Sequence, residues 1–183
     1  MKNTNILDLC PTQFVLGMKE IEYKVEKIKK FSDRELKKYC DDNVIPVVIG
    51  PRKQHYLVDH HHFARACWET GAEHYSTEVI KDLSHLDVKD FWNVMIKNNW
   101  TYLHDQFGMG PHSPLSLPSD IRCMADDPYR SLAWALVNNE VIKKIDVLFY
   151  EFQWAAFFRQ NLEVALHSKS DFKESIRQAT QLA

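Results

Sequence analysis

Residues 44–65 read V-I-P-V-V-I-G-P-R-K-Q-H-Y-L-V-D-H-H-H-F-A-R, and the change of period within this stretch decides the fold. Two short runs rich in β-branched and aromatic residues, 44–49 and 55–58, flank Gly50-Pro51-Arg52-Lys53 and predict a β-hairpin. The period then changes. Phe63, Ala64, Ala66, Cys67 and Trp68 give a helical pattern closed by Gly71, a natural left-handed C-terminal cap. Asp59, His60, His61 and His62 therefore stand where a strand hands the chain to a helix N-terminus. Unpaired N–H groups and a partial positive charge make such a terminus suit a phosphate or another anion.

Upstream of the hairpin, residues 11–17 predict an extended entry segment. Ile21, Val25 and Ile28 recur at helical spacing over residues 19–30. Ser32-Asp33-Arg34-Glu35 has the capping-box arrangement and starts a short helix over 33–40, before Pro46 forces extension. Downstream, residues 75–80 alternate like a third strand. Asp87 suits the cap of a helix carrying Phe91, Trp92, Met95 and Ile96, and residues 100–103 predict one more edge strand. Residues 106–119, with two Gly and three Pro, predict a long loop. Asp127 with Pro128 starts another helix, and an aromatic helix over 151–166 and an amphipathic tail over 171–183 follow. Phe149, Phe152, Trp154, Phe157 and Phe158 resemble a base-stacking platform, but spacings of three and four predict a buried helix face.

The fold class is α+β: a small mixed sheet with packed helices and a mainly helical C-terminal half. Residues 1–82 form its core, and 83–183 a helical extension packed on the same core as one unit. A net charge of −2 in 183 residues argues against a surface given over to nucleic acid, and no basic DNA-reading helix is evident. Cys10, Cys40, Cys67 and Cys123 form no C-x-x-C pair, and nothing at the N-terminus reads as a signal peptide or membrane span. These features predict reduced thiols in a cytoplasmic protein.

An extended strand, then Asp59-His60-His61-His62, then Arg65-Ala66 on a helix resembles the signature region of the ParB/sulfiredoxin superfamily, most of all its branch of ParB-like nucleases. Pro11-Thr12-Gln13 with Gly17 and Glu20, Asp82-Leu83-Ser84-His85-Leu86, and Asp127-Pro128-Tyr129-Arg130-Ser131-Leu132-Ala133-Trp134 resemble that branch as well. The resemblance implies a ParB/sulfiredoxin-like fold with nucleotide phosphates at the turn, surrounded by Asp59, His61, His62 and Arg65. It also implies that Glu20 reaches the site as an acidic residue. Two positions depart from the relatives: His60 stands where many have a glycine, and Phe63 where they place an Arg or Lys. Sulfiredoxin chemistry needs a reactive cysteine where this chain has His61, which excludes that activity.

The candidate catalytic residues are thus Asp59, His61 and Glu20, with Asp59 orienting an imidazole for acid–base work. Asp59 as a mere helix cap is the structural alternative. The candidate phosphate ligands are His60, His62, Arg65 and Arg130. A cation in the first turn of a helix, such as Arg130, calls for a carboxylate or phosphate partner. His104, Asp105 and His112 are candidates for a lid. No metal site is assigned, because consecutive histidines on a helix point about 100° apart and cannot converge as a set. The cofactor is open, Mg²⁺ with a nucleoside triphosphate being the candidate. The expected ligand is a nucleotide or phosphorylated small molecule, and the expected activity phosphoester hydrolysis or phosphoryl transfer. The alternative is a binding module without chemistry, either a nucleotide-gated switch or a DNA-associated protein.

Overall fold

The structure, a computed structural model, describes residues 5–72, 75–164 and 168–183. Its centre is the hairpin of β3 (Ile45–Ile49) and β4 (His55–Leu57), which pair antiparallel with Val48 opposite Tyr56. Two parallel neighbours complete a four-stranded sheet in the order β1-β4-β3-β5. They are β1 (Leu9–Cys10) beside β4 and β5 (Thr77–Asp82) beside β3. Gly50 opens the hairpin turn because an added Cβ would meet the Tyr56 ring at 2.5 Å. The third strand lies two residues later than the alternation of 75–80 suggests, and it is an exposed edge.

Apolar residues alternate across β3, so the sheet has two working faces. Ile45 and Val47 look toward α1 (Met18–Ile28), α2 (Asp33–Asp41) and α3 (His61–Thr70), packing with Ile21, Ile28, Phe63 and Cys67. Val48 looks the other way, onto Phe91, Trp92 and Met95 of α4 (Val88–Lys97). The capping box of Ser32 and Glu35 forms at the start of α2, and Asp87 caps α4 by accepting from Asp90 N.

A third apolar cluster belongs to the C-terminal helices. Leu132 and Leu136 of α5 (Pro128–Asn138), Phe158 of α6 (Tyr150–Asn161) and Ala179 of α7 (Lys169–Thr180) are all fully buried. The expected aromatic packing face is formed only in part: Phe152 and Phe158 are inside, while Phe157 is 38% exposed. Helix α6 ends at Asn161, short of the expected 166; residues 165–167 lie outside those described.

Besides the packing of α4 on the sheet, the two halves are joined at a seam formed by a short strand pair. Strand β2 (Val15–Leu16) pairs parallel with β6 (Ala125–Asp126), so α1 and α5, which follow these strands, start side by side. Gly17 allows the approach, since a Cβ there would stand 2.8 Å from Ser131 N. Residues 100–103 are not a strand. Tyr102 makes an isolated bridge to Gln13 through its N–H to Thr12 O, an oxygen that also accepts the Thr101 hydroxyl.

Candidate functional site

The site begins where β4 passes into α3. His60 is the N-cap of α3 and sits in the left-handed region at φ 65°, ψ 24°, a conformation glycine adopts without cost. His60 makes no side-chain cap, and Asp59 does not cap the helix either: its Oδ1 accepts the His60 N–H at 2.6 Å, outside the first turn.

His61 and His62 are buried, at 2% and 7% exposure. His61 Nε2 accepts the Thr12 N–H at 3.1 Å, and His62 Nε2 accepts the Gly17 N–H at 2.9 Å. Each ring is therefore neutral with its proton on Nδ1. Burial lowers both imidazole pKa values to about 3; the Glu20 carboxylate acts the other way on His62 without overcoming it. These histidines clasp the entry strand and the start of α1, and their basic nitrogens are occupied. His61 is consequently not placed as the free base that its sequence position suggests.

Beside His62 lies a buried ionic cluster. Glu20, 7% exposed, contacts Lys24 Nζ at 3.1 Å, Arg130 Nη2 at 3.1 Å and His62 Nε2 at 3.6 Å. Burial works against its charge, yet the Arg130 guanidinium and the Lys24 ammonium hold its pKa below the ordinary carboxylate value; His62, being neutral, adds no charge to this. Arg130, 4% exposed, also donates from Nη2 to Glu151 at 2.7 Å and stacks over Phe152 at 5.5 Å. The contact with Glu20 lacks hydrogen-bond alignment. Among the described residues Glu20 Oε2 has no hydrogen-bond donor, and Arg130 Nε and Nη1 have no acceptor. Two buried guanidinium nitrogens with nothing to donate to are unusual in a folded protein and costly.

These groups share a cleft. A cavity of about 350 Å³ is lined by Asp59, His60, His62, Arg130, Lys24 and Glu151, and is covered by the segment 144–150 between α5 and α6. A smaller recess of about 40 Å³ beneath it reaches Gln13 and His61. Asp59, His60, His61, His62, Glu20 and Arg130 are thus brought together. Arg65 is not. Its guanidinium lies over Trp68 and is held one turn further along α3 by Glu69 and by the carbonyls of Ile121 and Arg122, to which it donates. The proposed lid does not cover the cleft: Asp105 and His112 pair with each other at 2.9 Å, and Asp105 Oδ1 accepts the Phe107 and Met109 N–H groups. The covering segment, with Lys144, carries no sequence signal beyond its lack of periodicity. Glu151 could have been found only as the partner Arg130 required.

Among the described residues no cluster of three or more His, Cys, Asp or Glu side chains is arranged to hold a metal ion, and no helix is long and apolar enough to cross a membrane. Residues 2–160 match the family described as "Putative ParB-like nuclease". This chain belongs to that family. The matched span of the ParB-like nuclease family contains every residue of the cleft, and α7 lies beyond it. The crystal structure of protein Atu1540 from Agrobacterium tumefaciens is similar at 34% identity and a TM-score of 0.86. The match covers 98% of this chain and 89% of that one. Among curated proteins none matches.

Proposed function

We propose that this ParB-like protein binds a phosphate group of a nucleotide or other phosphorylated small molecule in the cleft at the start of α3. The observation that carries the reading is Arg130, whose Nε and Nη1 are buried beside the cavity with no acceptor. A phosphate oxyanion supplies what these donors lack through charge-assisted hydrogen bonds. The N-terminus of α3 favours the same charge. Lys24 and Lys144 add two cations to a lining that also holds Asp59, Glu20 and Glu151. Such a mixed lining suits a phosphate that arrives with Mg²⁺. One or two carboxylates plus substrate phosphates are the usual ligands of that ion, and among the described residues no cluster of three or more His, Cys, Asp or Glu is arranged to hold it alone.

If the bound phosphate reacts, a group at the rim must take a proton from the attacking water or hydroxyl. Asp59 and His60 are the candidates for this: among the described residues His60 Nδ1 has no partner, and Asp59 Oδ1 accepts the His60 N–H. His61 and His62 serve as positioning residues. A switch that binds without turnover is the second reading, favoured by the commitment of both buried imidazoles to backbone amides.

Calorimetry with nucleoside triphosphates and Mg²⁺ tests the binding. Arg130→Gln should weaken it about 10- to 150-fold, matching the roughly 1.5–3 kcal/mol of a hydrogen bond to a charged group. His60→Ala, which leaves the buried ion cluster untouched, should weaken it several-fold with the melting temperature retained. Unchanged affinity in both variants would remove the phosphate from this cleft. Turnover assays then separate the readings: in an enzyme Asp59→Asn should lose about 10²- to 10⁴-fold in rate.

A further inference from the structure

Strand β5 lies at one end of the four-stranded sheet, with β3 on its inner side and, among the described residues, no strand on its outer side. Every residue from Glu78 to Asp82 is exposed. An open edge is a template for another strand, and folded proteins guard it with brevity, proline, lysine, a bulge or a covering element. Here brevity and proline are missing: β5 runs six residues, T-E-V-I-K-D, and Val79 and Ile80 are 48% and 39% exposed. A lysine and an irregularity are present, and both fit one particular partner.

The strand is complementary to its own reverse. When two copies pair antiparallel about a two-fold axis between Val79 and Ile80, Glu78 stands opposite the partner's Lys81 and Val79 opposite the partner's Ile80. Opposite charges and apolar side chains directly across a pair of strands stabilise it, whereas a parallel pairing in register sets like charge against like. Among the described residues neither Glu78 nor Lys81 has an ion-pair partner within its own chain. The irregularity is an insertion: Val47 pairs with Val79 and Val48 with Lys81, so Ile80 has no partner residue on β3. Such an insertion throws a regular incoming strand out of register beyond it. A second copy brings the same insertion to the same place beside the axis, and the register holds on both sides.

We infer that β5 is a homodimer edge, at which two copies of this chain pair β5 against β5 antiparallel and join their sheets into one. The contact is isologous, each copy giving the same patch, as a closed two-fold dimer requires. It is independent of the phosphate cleft, whose lining includes no residue of β5.

Sedimentation velocity of the full chain from micromolar to millimolar concentration tests it. The wild-type protein should show a concentration-dependent dimer. Glu78→Lys and Lys81→Glu each set like charges opposite one another at both ends of the pairing. Each should raise the dimer dissociation constant on the order of 10- to 100-fold, with the melting temperature retained. Mixed in equal amounts, the two variants should recover the dimer as a heterodimer, because the lysines of one strand then face the glutamates of the other. The double variant Glu78→Lys/Lys81→Glu should recover it alone. A wild-type chain that stays monomeric throughout overturns the homodimer edge and leaves β5 to a strand of another protein. A dimer that either single variant retains at wild-type strength, or that the mixture fails to restore, overturns it as well.

Discussion

His61 and His62 show how residue type and residue role come apart. The sequence presents three adjacent histidines beside an aspartate, and acid–base chemistry is the natural expectation from those types. Which nitrogen is free is decided by partners 49 and 45 residues away, the amides of Thr12 and Gly17, and no local pattern reveals them. Their burial has a measurable consequence. A histidine whose folded pKa is depressed below its unfolded value stabilises the fold fully above the unfolded pKa, and the contribution is lost as pH falls toward the folded one. For both residues the window runs from about 6.5, the ordinary value, down to about 3. Unfolding free energy measured by denaturant titration should therefore fall from pH 7 to 5, before most carboxylates titrate. The slope should approach roughly 1.4 kcal/mol per pH unit for each histidine once pH is below the unfolded value. A stability that is flat between pH 7 and 5 would show that the two rings are not held neutral.

At the scale of elements, the hairpin, the capped start of α2 and the Gly71 end of α3 were legible because each rests on local chemistry that the sequence displays. The failures are equally physical. The alternation of 100–103 reflects real burial of Thr101 and Leu103 and stacking of Tyr102 on Phe152 at 4.1 Å, but a strand also needs a partner edge, and here one rung exists. The segment over the cleft has no period to read. The start of α3 offers a direct test of the left-handed His60. His60→Gly should keep or raise the melting temperature, because glycine adopts φ 65° freely, while the β-branched His60→Val should lower it by several degrees. Both remove the imidazole, so both should weaken nucleotide binding. Equal stability of the two variants would mean that the backbone at His60 is not held in the left-handed region.

At the scale of the whole molecule, the cleft exists because the β2–β6 pair sets α1 beside α5, bringing Glu20 of one to Arg130 of the other across 110 residues of chain. Sequence reading named both residues, one from resemblance and one from its discord with a helix dipole, but could not see that they meet. Gly17 sits at the hinge of this arrangement, its amide on His62 and its Cα against Ser131. Gly17→Ala forces a methyl group against backbone, which cannot yield as a side-chain tip does. It should cost about 1–3 kcal/mol, the range for overpacking, and weaken binding at the cleft as well, since His62 and Arg130 shift together. Loss of stability with full affinity would show that the site does not depend on the seam.

The central claim is that the orphaned nitrogens of Arg130 are the anchor of an anion site. A crystal structure of the protein with a bound nucleoside triphosphate and Mg²⁺ tests it most directly. The account predicts a phosphate oxygen within about 3 Å of Arg130 Nε or Nη1, beside His60 and the first turn of α3. Nucleotide bound elsewhere, with both nitrogens still unpartnered, would contradict it.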